Sequence, residues 1–237
     1  MITFNNVELT NYAICGDPEI HLFQYTPELR ETSGNGSLFI GKRIAAGEVT
    51  IKCAIAGDAT TRRTSLSNLA KVLNVDEPKK LVLPDSPSWY YLAVPSSGLS
   101  LERHIDGELF DLTFSLVDPV AYGTERTVTV PSGGSVTFTV DGTSSAYPYI
   151  TSTATRNSTS LVWGLSLDST EHVHIETGSS SSRSIVLDCL NRTLTVAGAA
   201  KIPTLDSDWL ELSPGSHTLT MDNGTGSATV KYRERWL

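Results

Sequence analysis

The stretch Gly107-Glu108-Leu109-Phe110-Asp111-Leu112-Thr113-Phe114-Ser115-Leu116-Val117-Asp118-Pro119-Val120-Ala121-Tyr122 decides the reading of this chain. Its first part alternates apolar and polar residues, the period of a strand with one buried face. Asp118-Pro119 then interrupts the pattern, and the composition changes beyond it. From Ala121 onward Ser and Thr make up 37 of 117 residues, against 19 of 120 before. Hydroxyl side chains suit the solvent face of a strand, so a Thr-rich series of short runs broken by Gly, Pro, Asn and Asp predicts an antiparallel β-sandwich. The expected organisation is therefore mainly β, with a β-rich domain carrying one helix over residues 1–122 and a sandwich over 123–237.

Upstream, Ile2-Thr3-Phe4 and Val7-Glu8-Leu9 read as short strands around an Asn5-Asn6 turn. Residues 11–30 look irregular, with Pro18 and Pro27 as breaks. Ser33-Gly34-Asn35-Gly36-Ser37 reads as a hairpin tip or projecting arm beside Leu38-Phe39-Ile40, and Val49–Ile55 as a half-buried strand. Leu66, Leu69, Ala70 and Leu73 fall at i, i+3, i+4 and i+7, which predicts a helix over about 62–74. Thr60 or Thr61 is its expected cap and Pro78 bars its continuation. Leu66, Leu69 and Leu73 should be buried on the sheet. Leu81-Val82-Leu83, Trp89–Val94 and Leu109–Leu116 complete the strands of this half.

Downstream, strands are expected at Thr127–Val130, Ser135–Val140, Tyr149–Thr155, Ser160–Leu165, His172–Glu176, Ser184–Asp188, Thr193–Val196, Trp209–Leu212, His217–Met221 and Ala228–Tyr232. Asp141-Gly142 and Asn223-Gly224 are read as tight antiparallel connections, and Ser179–Ser182 as a loop.

The net charge of −8 divides as 10 basic against 15 acidic side chains through Val120 and 8 against 11 afterwards. Neither half is basic, so neither is expected to grip nucleic acid by neutralising phosphates. No apolar run reaches membrane-spanning length, and Met1–Asn6 lacks the basic start and apolar run of a secretion signal. Cys15, Cys53 and Cys189 are odd in number and far apart in sequence, and are read as free buried thiols rather than a disulfide framework.

Residues with chemical potential are few. His172 and His174 lie on one face of a strand, and His217 or Glu176 would have to complete a zinc site; solvent exposure is the better reading, and no metal is expected. Asp206 and Asp208 beside Trp209 are read as a polar loop rather than a calcium site. Asn157-Ser158-Thr159, Asn191-Arg192-Thr193 and Asn223-Gly224-Thr225 match the glycosylation pattern by chance in a Thr-rich chain. No nucleophile elbow, zinc-protease helix or phosphate loop is present, so no catalytic residue, cofactor or enzymatic activity is expected. Trp163, Trp209 and Trp236 offer faces on which a sugar could stack, but core or interface packing is expected of all three.

In order along the chain, several segments together resemble the distal tail protein family of long-tailed, siphovirus-type bacteriophages of Gram-positive hosts. They are Ile2–Tyr12, Gly36 with Gly41-Lys42-Arg43, Val49–Ile55 followed by Gly57, the Leu66/Leu69/Leu73 helix, Lys80–Asp85 leading to Trp89-Tyr90-Tyr91, Gly107–Phe114, Asp118–Tyr122, Trp209–Gly215 and Tyr232–Trp236. The resemblance implies a homohexameric ring at the tail tip, with a galectin-like C-terminal sandwich facing outward. It implies as partners a tail tube protein, a tail-associated lysin and receptor-binding or baseplate proteins, with DNA passing through the channel unbound, no membrane contact, and assembly in the host cytoplasm. The chain is shorter than family members with inserted sugar-binding modules, which favours an architectural hub over the alternative, a module recognising a cell-wall glycan. On this reading Arg62, Arg63, Lys79 and Lys80 should point away from the lumen or be paired.

Overall fold

The computed structural model describes the 237 residues except 97, 99, 105–106, 155–161, 177–181 and 224, and the side chains of 22–24, 46, 222 and 223. The Asn157 sequence, the start of the expected strand at Ser160, Gly224 and most of the serine run lie outside the described residues. The chain forms two compact units that divide between Tyr122 and Gly123.

The first unit is built on an eight-stranded sheet. Strands β1 (Thr3–Phe4) and β2 (Val7–Glu8) are joined by Asn5 and Asn6, both at positive φ, as expected of a tight hairpin. Then come β3 (Ile14–Glu31), β4 (Ser37–Ala56), helix α1 (Ala59–Leu73), β5 (Lys79–Val82), β6 (Tyr91–Pro95), β7 (Glu102–His104) and β8 (Gly107–Leu116). The order across the sheet is β2-β1-β5-β6-β8-β4-β3, with β7 also on β8. The alternation read from sequence in β8 is real: Phe110, Leu112, Phe114 and Leu116 are buried. They sit opposite the buried Val49, Ile51 and Cys53 of β4, with Ile51 facing Leu112 and Val49 facing Phe114. Phe4 packs on Phe114 with ring centroids 4.9 Å apart.

Three expectations for this half are corrected. Residues 11–30 are not irregular: β3 runs through both prolines. Proline costs a ladder donor, which is tolerable here because β3 is the sheet's edge and Pro18 follows a bulge after Cys15. The helix is capped by Asp58 rather than by a threonine, its carboxylate accepting from the Thr61 N–H at 2.7 Å. Its buried face is also narrower than the stripe: Leu69 is fully buried, whereas Leu66 and Leu73 are half-buried and Ala70 is exposed.

The second unit is a sandwich of two antiparallel sheets, with no helix among its described residues. Its strands are β9 (Ala121–Val130), β10 (Ser135–Val140), β11 (Tyr149–Ala154), β12 (Val162–Leu167), β13 (Glu171–Glu176), β14 (Arg183–Asp188), β15 (Thr193–Val196), β16 (Ala199–Lys201), β17 (Gly215–Asn223) and β18 (Ala228–Trp236). One sheet runs β10-β17-β12-β13, the other β16-β15-β14-β11-β18-β9. Side chains from both form a single core around Trp163, Leu165, Ile150, Leu187, Leu219 and Val230.

The expected strand at Trp209–Leu212 is reduced to one bridge, Ala146 to Leu212. Neither expected tight connection joins a hairpin. β10 pairs with β17 rather than β11, and β17 and β18 belong to different sheets. Gly142, at φ +125°, instead lets the chain pass the backbone of Arg235, whose carbonyl a Cβ would strike. The tight hairpins lie elsewhere, at Asp168-Ser169 between β12 and β13 and at Ala197-Gly198 between β15 and β16, all four at positive φ.

Because Leu69 is the fully buried residue of α1, Leu69→Ala should cost about 2–5 kcal/mol in denaturant unfolding. An unchanged unfolding midpoint would mean that the helix contributes nothing to the unit's core.

Candidate assembly surface

Strand β4 pairs with β8 from Glu48 to Ala56. From Ser37 to Gly47 its neighbour is β3 alone, so β3 and β4 continue as a two-stranded arm. The described side chains from Tyr25 to Ile40 are all exposed. At roughly 3.3 Å per residue, Tyr25 to Glu31 extends about 20 Å. Ser33–Ser37 is the tip, where the Thr32 hydroxyl donates to the Gly36 carbonyl at 2.9 Å.

The arm's composition is unusual for a solvated hairpin. Tyr25, Leu29, Leu38, Phe39 and Ile40 are 51–60% exposed. Tyr25 lies opposite Ile44, and a one-residue shift at Ile40 brings Leu29 opposite Phe39. Opposed residues share a face, so one face carries Tyr25, Leu29, Phe39 and Ile44 together. Lys42 lies over the Tyr25 ring at 4.6 Å, its stem covering part of that face. A lone two-stranded hairpin is marginal in water and gains little from apolar groups it cannot cover. Such a surface fits a protein partner.

The histidines do not converge on a metal. His172 and His174 stack at 5.7 Å, but His174 Nδ1 is 3.0 Å from Asp206, and Glu176 is exposed. Among the described residues no group of three His, Cys, Asp or Glu could hold an ion. Asp206 is held at about 2 by the Thr204 hydroxyl and the His174 ring, and the Asp208 N–H donates to the His172 carbonyl at 2.7 Å. The two aspartates thus tie a loop to β13. Asn191 is bound to Asp188 through its side-chain amide at 2.8 Å. Trp163 is fully buried and presents no face to a sugar, while Trp209 and Trp236 are half-buried. Arg62 lies 3.9 Å from the buried Glu108, Lys79 contacts Glu77, Lys80 lies 4.5 Å over the Tyr90 ring, and Arg63 is exposed.

One cluster carried no signal in the sequence, because Asp168 lies 49 positions before His217. His217, buried on β17, places Nδ1 2.6 Å from Asp168 and Nε2 2.6 Å from the Ser213 carbonyl, with the Ser213 hydroxyl at 3.4 Å. The trio is that of a hydrolase, but its geometry is not. The nitrogen a general base would use is committed to a carbonyl. Asp168 also accepts the Thr218 N–H at 2.7 Å, so the cluster clasps the β12–β13 turn to β17.

Residues 29–116 match the phage tail protein RIFT-related domain, and 141–236 match the C-terminal domain of the siphovirus-type tail component. The distal tail protein of Bacillus phage SPP1 is 24% identical over 209 residues, covering 86% of this chain and 81% of that protein. The crystal structure of SPP1 Dit, a hub of the adsorption apparatus in phages infecting Gram-positive hosts, superposes with a TM-score of 0.82 over 100% of this chain and 98% of that one, at 18% identity. A chain of the phage P2 baseplate in its activated conformation with calcium gives 0.54 over 96% and 92%, at 8% identity. Fold and sequence define a siphovirus-type tail component. The chain belongs to the distal tail protein family of long-tailed bacteriophages.

The Thr218 N–H first, and then the His217 ring, hold the Asp168 carboxyl below the ordinary range. A carboxyl so lowered stabilises the fold above its unfolded value and loses that contribution as pH falls through the folded one. Between about pH 5 and 2, therefore, the wild type should lose stability more steeply than Asp168→Asn, which starts lower at neutral pH. Parallel slopes in urea unfolding across that window would show that the clasp carries no linkage.

Proposed function

We propose that this protein is the structural hub of a phage tail tip, a ring-shaped virion component that joins the tail tube to the host-adhesion device. The relatives it matches are hub and baseplate proteins. The observation that carries the ring is the arm, an exposed apolar two-stranded extension that needs a neighbour to cover it. In a closed homohexamer each arm lies on the adjacent subunit, a head-to-tail contact that rotation can complete into a ring. The first unit forms that ring, and the galectin-like sandwich is the part that receptor-binding or baseplate proteins attach to. The tail tube protein and a tail-associated lysin occupy the two ends, and the parts assemble in the host cytoplasm before the hub takes its place in the virion tail.

The role is architectural rather than enzymatic. The Ser-His-Asp cluster is spent on a turn, and Arg62, Lys79 and Lys80 have contacts within the first unit. A lumen of carboxylates and neutral groups lets DNA pass without counterion-driven binding.

Leu29→Thr combined with Phe39→Thr alters exposed positions and should shift protomer stability by no more than about 0.5 kcal/mol. Light scattering should nevertheless show the ring's mass falling toward that of the protomer; an unchanged mass would remove the arm from assembly. Duplex DNA at low salt should show no salt-sensitive binding, whereas micromolar binding that weakens with salt would refute the unbinding channel.

A further inference from the structure

Cys15 on β3 and Cys53 on β4 are 38 positions apart in sequence but directly opposite in the strand register, with their sulfurs 3.6 Å apart. Neither is in a disulfide. Opposed residues of an antiparallel pair have Cα atoms about 4.5–5.5 Å apart, inside the about 4.4–6.8 Å that a disulfide spans. Closing the bond therefore asks for side-chain rotation, and the bulge that follows Cys15 gives the edge strand local freedom. The two thiols differ in setting: Cys15 is half-buried at the sheet's edge, whereas Cys53 is 4% exposed on the core face. All three cysteines are free, as expected, and Cys53 and Cys189 are buried, whereas Cys15 is only half-buried.

We propose that Cys15 and Cys53 form a dithiol redox site, which a small-molecule disulfide of the oxidised-glutathione class converts into a cross-strand disulfide stapling the root of the arm. The thiolate of Cys15 attacks one sulfur of the oxidant, forming a mixed disulfide and expelling one thiolate. Cys53 then gives up its proton, and its sulfur attacks that of Cys15, forming the Cys15–Cys53 bond and expelling the second thiolate. Two protein thiols lose two electrons and two protons, and one small disulfide becomes two thiols.

The order of events follows from the environment. The hydrogen bond from Cys53 lowers the pKa of Cys15, so the accessible sulfur is the nucleophile. The same hydrogen bond, and then burial, raise that of Cys53. Once Cys15 is a mixed disulfide its negative charge is gone, and the largest cause of the raised Cys53 value goes with it. Cys189 is pushed up to about 12 by burial and serves as an internal control. The chemistry stands independently of the hub reading; for a virion component, whose surface meets oxidising surroundings, it supplies a covalent lock at the foot of the assembly arm.

The test uses the full-length protein with excess oxidised glutathione, acid quenching, alkylation with N-ethylmaleimide in denaturant and non-reducing peptide mapping. A Cys15–Cys53 linked peptide with alkylated Cys189 is expected, together with a Tm raised by about 5–10 °C and restored by dithiothreitol. Cys53→Ala should stop at a glutathione adduct on Cys15. Recovery of both cysteines as maleimide adducts, or a wild-type protein that halts at the Cys15 adduct, overturns the proposal, and neither result depends on a variant folding.

Discussion

The pairing of β4 with two neighbours along one half and a single neighbour along the other sets the terms for the whole first unit. From Glu48 to Ala54 the strand lies between β3 and β8, and its inward residues Val49, Ile51, Cys53 and Ile55 are 0–4% exposed. Past Gly47 toward the tip no third strand follows among the described residues, and the apolar side chains of Ile40, Phe39 and Leu38 there are 55–60% exposed. A strand cannot end its hydrogen bonding halfway without consequence: the doubly paired half must hold the singly paired half in place. The root is accordingly reinforced. A bulge sits beside the Cys15–Cys53 pair, and the chain leaves β4 through Gly57 at positive φ into the Asp58 cap, so α1 packs back against the same strand.

The sandwich solves a different problem. Its successive strands repeatedly change sheets, so the two connections read as tight turns, β10 to β11 and β17 to β18, are corners. At such corners glycine is required by close approach rather than by turn type. Gly142 runs against the Arg235 backbone and Gly226 against that of Thr153, and in both places a Cβ would collide with a carbonyl oxygen. Threading these corners brings β17 and β18 into opposite sheets, which lets one core draw on Leu219 from one and Val230 from the other. The Asp168–His217–Ser213 cluster belongs to the same solution, since it fixes a turn at positive φ to the strand beside it.

What could be read from the residues is what depends on local periodicity. The alternation in β8 and β10, the Asn5-Asn6 turn and the existence of α1 all rest on neighbours a few positions apart. What could not be read depends on partners. Pro18 and Pro27 looked like breaks because their acceptability turns on β3 being an edge, a property of sheet order. Asp168-Ser169 and Ala197 adopt positive φ without the glycine that usually signals it. The depth of Trp163 and the meeting of Cys15 with Cys53 are set by register across strands far apart in sequence. Leu66 and Leu73 show the limit of periodicity itself: the stripe gives the side of the helix that faces the sheet, whereas how far each residue sinks depends on the surface it meets.

The edge position of β3 also constrains how copies of the chain can meet. An eighteen-residue edge strand offers a row of free backbone groups, and an unprotected edge of that length invites open-ended strand addition. Here two prolines remove donors, two register shifts interrupt the ladder, and Glu19, Glu28, Arg30 and Glu31 place charges along it. Backbone templating is thereby blunted while the side-chain surface of Tyr25, Leu29, Phe39 and Ile44 remains available. In the proposed ring, recognition at the arm then comes from the shape and register of those side chains rather than from the backbone ladder. A head-to-tail contact with one fixed rotation closes into a ring where that rotation completes a circle, and winds into an open filament where it does not. The prolines that obscure β3 in the sequence therefore protect its edge against open-ended strand addition.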